Sequence, residues 1–202
     1  MEKHLQDLSE IRSLMERSSK FISLSGLSGI SAGLIATIGG VVAYFTLLPM
    51  DKMGVVFYDN QLLYTLVTIG AVVLVLSLSF SIFFTLRKAK ANGASVWTST
   101  SKRLLESMLV PLITGGLFCL YLLKHAPHLI DAATLIFYGL ALLSASKYTY
   151  DDIKKVAYLE IILGLLAGLA THWSISLLFW TLGFGVVHIV YGIIMYNKYE
   201  RA

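Results

Sequence analysis

Six apolar runs, separated by short polar segments, are the feature that most limits how this chain can fold. They cover Phe21–Leu48, Leu62–Leu86, Leu104–Leu123, Leu129–Ser146, Val156–Ala170 and Ile175–Tyr196. A bilayer core of about 30 Å needs about 20 apolar residues in a helix, so these runs predict transmembrane helices. The fifth run is short, but Thr149-Tyr150-Asp151-Asp152 predicts a capping box, with Thr149 as the N-cap, that starts its helix earlier. Because the chain is 56% hydrophobic and only 14% charged, lipid rather than water is its expected solvent.

The lysine and arginine residues predict which side of the membrane each connection faces. All but two of the 16 lie in four alternate segments: the N-terminus, the loops after the second and fourth helices, and the C-terminus. The two exceptions are Lys52 and Lys124. Because short connections rich in Lys and Arg stay in the cytoplasm, we expect an all-α polytopic protein with six transmembrane helices and both termini inside. No groove pattern of basic and aromatic residues accompanies them, which argues against nucleic-acid binding.

Residues 1–20 precede the predicted bundle, and their pattern predicts a short amphipathic helix in the cytoplasm. Apolar residues recur there every three to four positions, from Leu5 to Met15, with charged residues between them. This helix either lies on the membrane surface or under the bundle, or it docks a protein partner or a second copy of the chain. The remainder, 21–202, is then a single six-helix transmembrane bundle. None of its connections is long enough for a soluble catalytic or nucleotide-binding domain.

Small residues repeat along three of the predicted helices. The first helix carries them every four positions from Ser25 to Gly33, a spacing that lets the backbone of another helix come close. That other helix belongs either to the same bundle or to a second copy. The fifth helix has a small face around Gly164, and the sixth has one that includes Gly185 and Gly192. Because a tight connection joins the last two helices, we expect their small faces to pack on each other.

Two ionisable residues lie in the predicted spans with no easy route to water. Glu160 lies 12 residues before His172, near the centre of the last hairpin, and His188 lies 16 residues after it. At 1.5 Å per residue their depths differ by about 6 Å, so a direct or water-bridged pair is expected. Tyr191 is close enough in sequence to join them. A structural pair, a proton-titratable site for transport or pH sensing, and a ligand or metal site all remain open.

A second polar cluster is predicted at the outer ends of the helices. Its members are His125, His128, Asp131 and His172. Histidine and aspartate can bind Zn²⁺ or a related metal. Pro127, however, disrupts a simple helical spacing of His125 and His128, and Asp131 is equally suited to cap the positive end of the fourth helix. The pattern is much less specific than a His-Glu-x-x-His motif.

Several short motifs in the C-terminal third carry a resemblance. They are Tyr138-Gly139-Leu140-Ala141, Ser146-Lys147-Tyr148, Leu159-Glu160-Ile161, Phe179-Trp180, Gly183-Phe184-Gly185, His188 and Tyr191-Gly192. In these motifs the chain resembles a group of small, uncharacterised six-helix bacterial inner-membrane proteins. The resemblance implies a bacterial inner-membrane location and brings no activity, substrate or site residue with it.

The short connections and the few polar residues in the spans favour a non-enzymatic accessory, sensor or scaffold protein. One alternative is a small ion or solute transporter or channel that uses Glu160 and His188. Another is a metal-dependent intramembrane enzyme, although no recognisable nucleophile–base or metal motif is present. We expect no cofactor. The expected partners are the lipid bilayer and, through residues 1–20, a second copy of the chain or another protein.

Overall fold

The described part of the chain is almost entirely helical. The computed structural model describes residues 25–52 and 55–201, so the predicted helix over 1–20 lies outside it. The helices are α1 (Gly26–Leu47), α2 (Asn60–Ala91), α3 (Ser99–His125), α4 (Ile130–Ala145), α5 (Asp152–Leu169), α6 (Trp173–Trp180) and α7 (His188–Tyr199). A π-helical segment, Thr181–Val187, joins α6 to α7, so one long helix has a widened middle.

Short connections link these helices. Single 3-10 turns lie at Leu48–Met50, Pro127–Leu129 and Ser146–Tyr148. A two-stranded antiparallel ribbon, β1 (Asp51–Lys52) and β2 (Val55–Val56), lies between α1 and α2 and places Asp51 opposite Val56. The side chain of Asp59 caps α2 by accepting a hydrogen bond from the Leu62 N–H at 2.7 Å.

The predicted capping box before α5 is wrong. The helix begins at Asp152, and the residue before it, Asp151, has helical dihedral angles and makes no side-chain cap. Thr149 is fully buried and extended, with φ −145° and ψ −158°. The first turn is closed by the backbone, where the Ile153 N–H donates to the Tyr150 carbonyl at 3.1 Å. The helix does start before the apolar run, at Asp152.

Five helical segments of the described residues are long and apolar enough to cross a membrane, judged by length and composition. They are Gly26–Met50, Asn60–Ala91, Ser99–His125, Pro127–Tyr148 and Trp173–Tyr199. Each overlaps one of the predicted spans. The fifth predicted span corresponds to α5, which is only 18 residues long and includes two lysines, Asp152 and Glu160. The chain is therefore a predominantly helical, multi-pass membrane protein, and α5 packs within the same bundle.

Across the bundle the helices are arranged in the order α2, α1, the last helix (α6, the π segment and α7), α5, α4 and α3. Helix α1 packs against α2 on one side and against the π segment and α7 on the other. Helix α5 packs against α4 and α6, and α4 packs against α3. This order leaves α2 and α3 outermost, and Leu62 and Ala89 are the buried residues of the 32-residue helix α2. The exposed apolar side chains of α2 and α3 are what a lipid-facing surface requires.

The prediction that the small faces of the last two spans pack on each other is wrong. Gly164 of α5 faces α4 instead. Gly185 and Gly192 face α1, where a Cβ added to Gly33 would lie 2.5 Å from the Gly185 oxygen. A Cβ added to Gly192 would lie 2.6 Å from the Gly26 oxygen. The small stripe of α1 therefore packs inside the bundle, antiparallel to the last helix.

Polar contacts join four chain segments at one end of the bundle. The carboxylate of Glu200 accepts a hydrogen bond from the Gly26 N–H and lies 3.4 Å from Lys88 Nζ. Lys198 Nζ donates to Asp152 Oδ2 at 2.7 Å. The start of α1, the end of α2, the start of α5 and the C-terminal end of the described chain therefore meet, as helices that alternate in direction require.

The opposite end is closed by a contact between the β-ribbon and the last hairpin. Trp173 Nε1 donates a hydrogen bond to Asp51 Oδ2 at 3.0 Å, and His172 Nε2 lies 3.8 Å from the same oxygen. The Tyr44 ring of α1 packs on Trp173 with ring centroids 5.5 Å apart. These contacts hold the end of α1 and its ribbon against the start of α6.

Candidate functional site

The candidate site lies where the last membrane helix widens. The π segment Thr181–Val187 contains two buried glycines, Gly183 and Gly185. A π turn pairs residues five positions apart and often marks a functional site. Gly185 faces α1, since a Cβ there would lie 2.5 Å from Thr37 Oγ1, whereas Gly183 faces α5. The two glycines therefore let neighbouring helices reach the widened turn from both sides.

Glu160 is the acidic side chain that fills the space beside Gly183. It projects from the middle of α5 and is 0% exposed. A Cβ added to Gly183 would lie 2.6 Å from Glu160 Oε2 and 2.5 Å from Leu135 Cδ2. A larger residue at position 183 would therefore compete with the carboxyl group, so glycine at this position makes the buried site possible.

His188 lies one turn further along and is also buried. Its Nδ1 lies 3.0 Å from the Gly183 carbonyl oxygen. Because a carbonyl oxygen only accepts, Nδ1 carries a proton and donates it. Its Nε2 lies 2.9 Å from the Tyr138 hydroxyl of α4. A hydroxyl can donate or accept, so Tyr138 satisfies Nε2 in both the neutral and the charged imidazole.

Glu160 and His188 are neighbours without a hydrogen bond between them. Glu160 Oε1 lies 3.4 Å from His188 Nδ1, whose proton is directed to Gly183. Neither carboxyl oxygen of Glu160 has a hydrogen-bond partner among the described residues. An ionised carboxylate in such a place has a large desolvation cost, and no hydrogen bond from the described residues offsets it here. The arrangement therefore fits a carboxyl group that holds a proton.

Aromatic and aliphatic side chains enclose this group. The Phe184 ring packs on Tyr138 at 5.1 Å and on His188 at 6.0 Å between centroids. Trp180 packs on Phe184 at 5.1 Å and anchors its indole N–H on Thr134 Oγ1 at 3.2 Å. In such apolar surroundings the effective dielectric constant is low. A change of charge at the site therefore changes the electrostatic energy more than the same change at the surface would.

The three residues predicted for the intramembrane site have different surroundings in the structure. It brings Glu160 and His188 together, whereas the buried Tyr191 hydroxyl has no hydrogen-bond partner among the described residues. Tyr138 was not predicted as part of the site. The neighbouring Gly139 lets α4 come close to α5, since a Cβ at Gly139 would lie 2.8 Å from the Ala157 oxygen. This helix pairing, which places Tyr138 at the site, could not be predicted from the sequence.

The structure does not assemble the predicted outer metal site. His125 Nδ1 lies 2.9 Å from the Tyr121 carbonyl oxygen, and the two rings stack at 4.1 Å. His172 faces Asp51 of the β-ribbon rather than the other histidines. His128 lies in the 3-10 turn Pro127–Leu129 and Asp131 in the first turn of α4. In residues 25–52 and 55–201, no three His, Cys, Asp or Glu side chains are grouped closely enough to hold a metal ion.

The chemistry available at the intramembrane site is proton binding. Carboxyl, imidazole and phenol groups can each bind and release a proton. Glu160 lies beside His188, and His188 beside Tyr138, inside an apolar shell. Comparisons of the chain with protein families, with curated proteins and with solved structures find no match.

Proposed function

We propose that this chain is a non-enzymatic, proton-responsive membrane sensor whose proton is bound by Glu160 beside His188. One observation carries the proposal: the Glu160 carboxyl is fully buried, and neither of its oxygens has a hydrogen-bond partner among the described residues. A pair that served only to fix helix register would direct the imidazole N–H to the carboxylate, since a charge-assisted hydrogen bond is the stronger one. Here that N–H is directed to Gly183.

The two protonation states of such a site differ in energy because of burial. With its proton, Glu160 is neutral and tolerates the apolar surroundings. Without it, the carboxylate requires a donor, and His188 Nδ1 at 3.4 Å is at hand. Histidine is the side chain whose charge changes most readily near neutral pH. The pair therefore converts a change in proton concentration into a change of buried charge.

We further propose six spans with both termini in the cytoplasm of a bacterial inner membrane. The alternation of Lys and Arg along the sequence supports this topology. The contacts of Glu200 with Gly26 and Lys88, and of Lys198 with Asp152, support it as well. They gather the start of the first predicted span and three predicted cytoplasmic segments at one end. The resemblance to six-helix bacterial proteins supports the location.

The proposed output of the sensor is the N-terminal segment. Residues 1–20 carry the amphipathic pattern of a docking helix for a protein partner or a second copy of the chain. They precede α1 in the sequence, and the first turn of α1 is tied to Glu200, which follows α7. A change at the π segment therefore has a direct covalent and hydrogen-bonded route to this segment.

Tryptophan emission tests the proposal, because Trp180 lies next to the site. The protein is placed in lipid nanodiscs with Trp97, which is 66% exposed, and Trp173 both replaced by phenylalanine, so that the emission comes from Trp180. The emission is followed between about pH 5 and 8. We expect a reversible sigmoidal change that Glu160→Gln abolishes. The exposed Glu106→Gln is the matched control and keeps the change. An unchanged titration in Glu160→Gln would refute the proposal.

Proton-coupled transport is the second candidate. It is favoured by the break in the last helix, since interrupted membrane helices with ionisable neighbours commonly line substrate paths. The test is proton and cation flux into liposomes for wild type, Glu160→Gln and His188→Ala. Flux that disappears in either variant would make this a transporter. Folded protein without flux at several pH values favours the sensor.

A further inference from the structure

We propose that Glu160 exchanges its proton with one side of the membrane only, through water held by the buried hydroxyl of Tyr191. That side is the end of the bundle where Asp152 lies, which the proposed topology assigns to the cytoplasm. The inference rests on the proposed proton-binding role of Glu160 and adds which pH the sensor reads. It follows from three features: an unsatisfied hydroxyl beside the site, a hydrated carboxylate beyond it, and apolar packing on the other side.

The first feature is the Tyr191 hydroxyl. It is buried and has no hydrogen-bond partner among the described residues. Tyr191 follows His188 by three positions in α7, so the two side chains occupy neighbouring positions on one helix face. A buried polar atom without a protein partner is normally satisfied by an ordered water, which itself needs at least two polar neighbours. The Tyr191 hydroxyl therefore marks a place for water next to the site.

Polar groups lie on both sides of this hydroxyl. Towards the site, Tyr191 interacts electrostatically with Tyr138, and Tyr138 interacts in the same way with Glu160. The contact of the Tyr138 hydroxyl with His188 Nε2, at 2.9 Å, holds it in place. In the other direction, Tyr191 interacts electrostatically with Asp152. Water at Tyr191 therefore has polar neighbours towards the site and towards the end of the bundle.

The second feature is the Asp152 carboxylate at the end of the bundle. It accepts hydrogen bonds from Lys198 Nζ at 2.7 Å and from the Tyr199 hydroxyl at 3.2 Å, and 21% of its side chain stays exposed. Asp152 precedes Glu160 by eight residues in α5, which corresponds to about 12 Å of rise. Tyr191 lies between the two levels, because it is about 4.5 Å beyond His188 in the direction of this end. A carboxylate in contact with water therefore stands where the path opens.

The third feature is the apolar packing between Glu160 and the opposite end. The fully buried Leu135 packs there in one cluster with Trp180 and Phe184. The polar contact in this layer leads nowhere: the Trp180 N–H donates to Thr134 Oγ1, and the Thr134 hydroxyl donates to carbonyl oxygens of its own helix. An indole N–H donates but cannot accept, so it passes no proton on. The site is therefore closed towards the opposite end.

Few titratable groups face this path. They are His188, Lys198 and Tyr199 of α7, Tyr138 of α4, Tyr150 ahead of α5, and Lys155 beside Asp152. Helices α1 and α6 and the π segment contribute no acidic or basic side chain. Asp131 lies in the first turn of α4, at the opposite end. Because Asp152 is matched by two lysines, Glu160 is the acid on which the path ends.

Proton uptake changes only Glu160. A hydronium ion at the Asp152 end becomes water, and each water and hydroxyl along the path takes up one proton and gives up another. The Glu160 carboxylate gains an O–H bond. His188 keeps its Nδ1 proton throughout, and release runs through the same steps in reverse.

The rate of proton exchange tests the role of Tyr191. The protein with Trp180 as its single tryptophan is placed in nanodiscs, and its emission is followed after a laser-triggered pH jump. We expect Tyr191→Phe to slow the relaxation at least several-fold while the midpoint of the equilibrium titration stays the same, because a hydroxyl that relays protons changes rates and not equilibria. Tyr158→Phe, at an exposed position of α5, is the matched control and relaxes as wild type. Equal rates for Tyr191→Phe and wild type would overturn the proposal.

Sealed liposomes test the sidedness with the site residues unchanged, so this result does not depend on whether Tyr191→Phe folds. The single-tryptophan protein carries Cys119→Ser and Arg201→Cys, and a membrane-impermeant thiol reagent measures the fraction of molecules whose Asp152 end faces outward. After a rapid change of the external pH, we expect a fast emission change from that fraction and a slow one, limited by proton leak, from the rest.

The outcomes separate this inference from the proposed function. A fast change in all molecules, or in those whose opposite end faces outward, would overturn the sided path while proton binding by Glu160 stands. If the equilibrium emission does not titrate, or titrates equally in Glu160→Gln, the proposed function fails as well.

Discussion

At the scale of single residues, Glu160 fits into the bundle because its neighbours leave space for the carboxyl group. No oppositely charged side chain among the described residues is hydrogen-bonded to it. Gly183 provides room for the carboxyl group, and Leu135 closes the other side. The donor that would normally satisfy a buried carboxylate, His188 Nδ1, is committed to the Gly183 carbonyl. Three residues from two helices thus leave one acidic group unsatisfied, which is where a proton binds most readily.

Replacing this carboxyl tests that description through stability. Ionisation of the buried, unpartnered carboxylate costs on the order of several kcal/mol, so the wild-type thermal midpoint is expected to fall as the pH rises. Glu160→Gln keeps the side-chain shape and removes the charge, and its midpoint should therefore depend much less on pH. Thermal unfolding in detergent at a series of pH values measures this. Glu106→Gln should follow wild type; a Glu160→Gln profile that also follows it would show that Glu160 does not titrate.

Asp152, at the end of the bundle, gives the opposite dependence of stability on pH: here stability is lost as the pH falls. The hydrogen bond from Lys198 holds the pKa of Asp152, which lies ahead of the predicted span, below its ordinary value. A lowered pKa in the folded state stabilises the fold at neutral pH, and this contribution is lost as the pH falls through the lowered value. We expect Asp152→Asn to be slightly less stable than wild type at neutral pH and equal to it in strong acid. Equal stability at both would contradict the pairing.

Some of these site residues could be predicted from the sequence, and others could not. Counting residues from the last hairpin placed Glu160 and His188 at similar depth, because rise per residue is nearly constant in helices. It could not find Tyr138, since which helix lies beside α5 depends on packing across the bundle. Nor could it predict that Gly183, rather than Glu160, accepts the imidazole proton, because that depends on local backbone geometry.

At the scale of the elements, the π segment decides which faces meet. In a regular helix with a period of 3.6 residues, His188 would share a face with Gly185 and Gly192. In the structure the two glycines face α1, whereas the His188 ring points to Gly183 and to Tyr138. An extra residue in a turn changes the phase of everything that follows it. Helix existence was predictable from apolar runs, but this local change of period was not.

Glycine substitutions test the interface between α1 and the last helix. A Cβ on Gly33 would lie 2.5 Å from the Gly185 oxygen and 2.8 Å from the Ile189 backbone nitrogen, so the helices must separate. We expect Gly33→Ala to lower the free energy of unfolding by about 1–3 kcal/mol. Gly70→Ala on α2 is the matched control, because nothing lies within 4 Å of its Cβ position. Denaturant unfolding measures both; a Gly33→Ala variant as stable as Gly70→Ala would contradict the close packing.

At the scale of the whole molecule, the two closed ends and the exposed outer helices describe a bundle suited to lipid. Polar contacts gather at one end around Glu200 and at the other around Asp51. Between them lie five helical segments that are long and apolar enough to cross a membrane, and α5. Whether α5 crosses determines whether the last two connections lie on opposite sides.

Single cysteines labelled with a membrane-impermeant thiol reagent test the six-span topology. In a Cys119→Ser background, Lys124→Cys, Lys147→Cys and Arg201→Cys each introduce one thiol. Six spans predict that position 124 reacts in intact cells, whereas positions 147 and 201 react after the membrane is permeabilised. If α5 does not cross, positions 147 and 201 will lie on opposite sides.

The measurement that tests the account most directly is infrared difference spectroscopy of the Glu160 carboxyl during a change of pH. In wild type we predict a carbonyl band from a protonated, buried carboxylic acid that loses intensity as the pH is raised across the physiological range. This band should be absent from Glu160→Gln and retained in Glu106→Gln. A wild-type spectrum identical to that of Glu160→Gln at every pH would contradict the claim that this buried site binds and releases a proton.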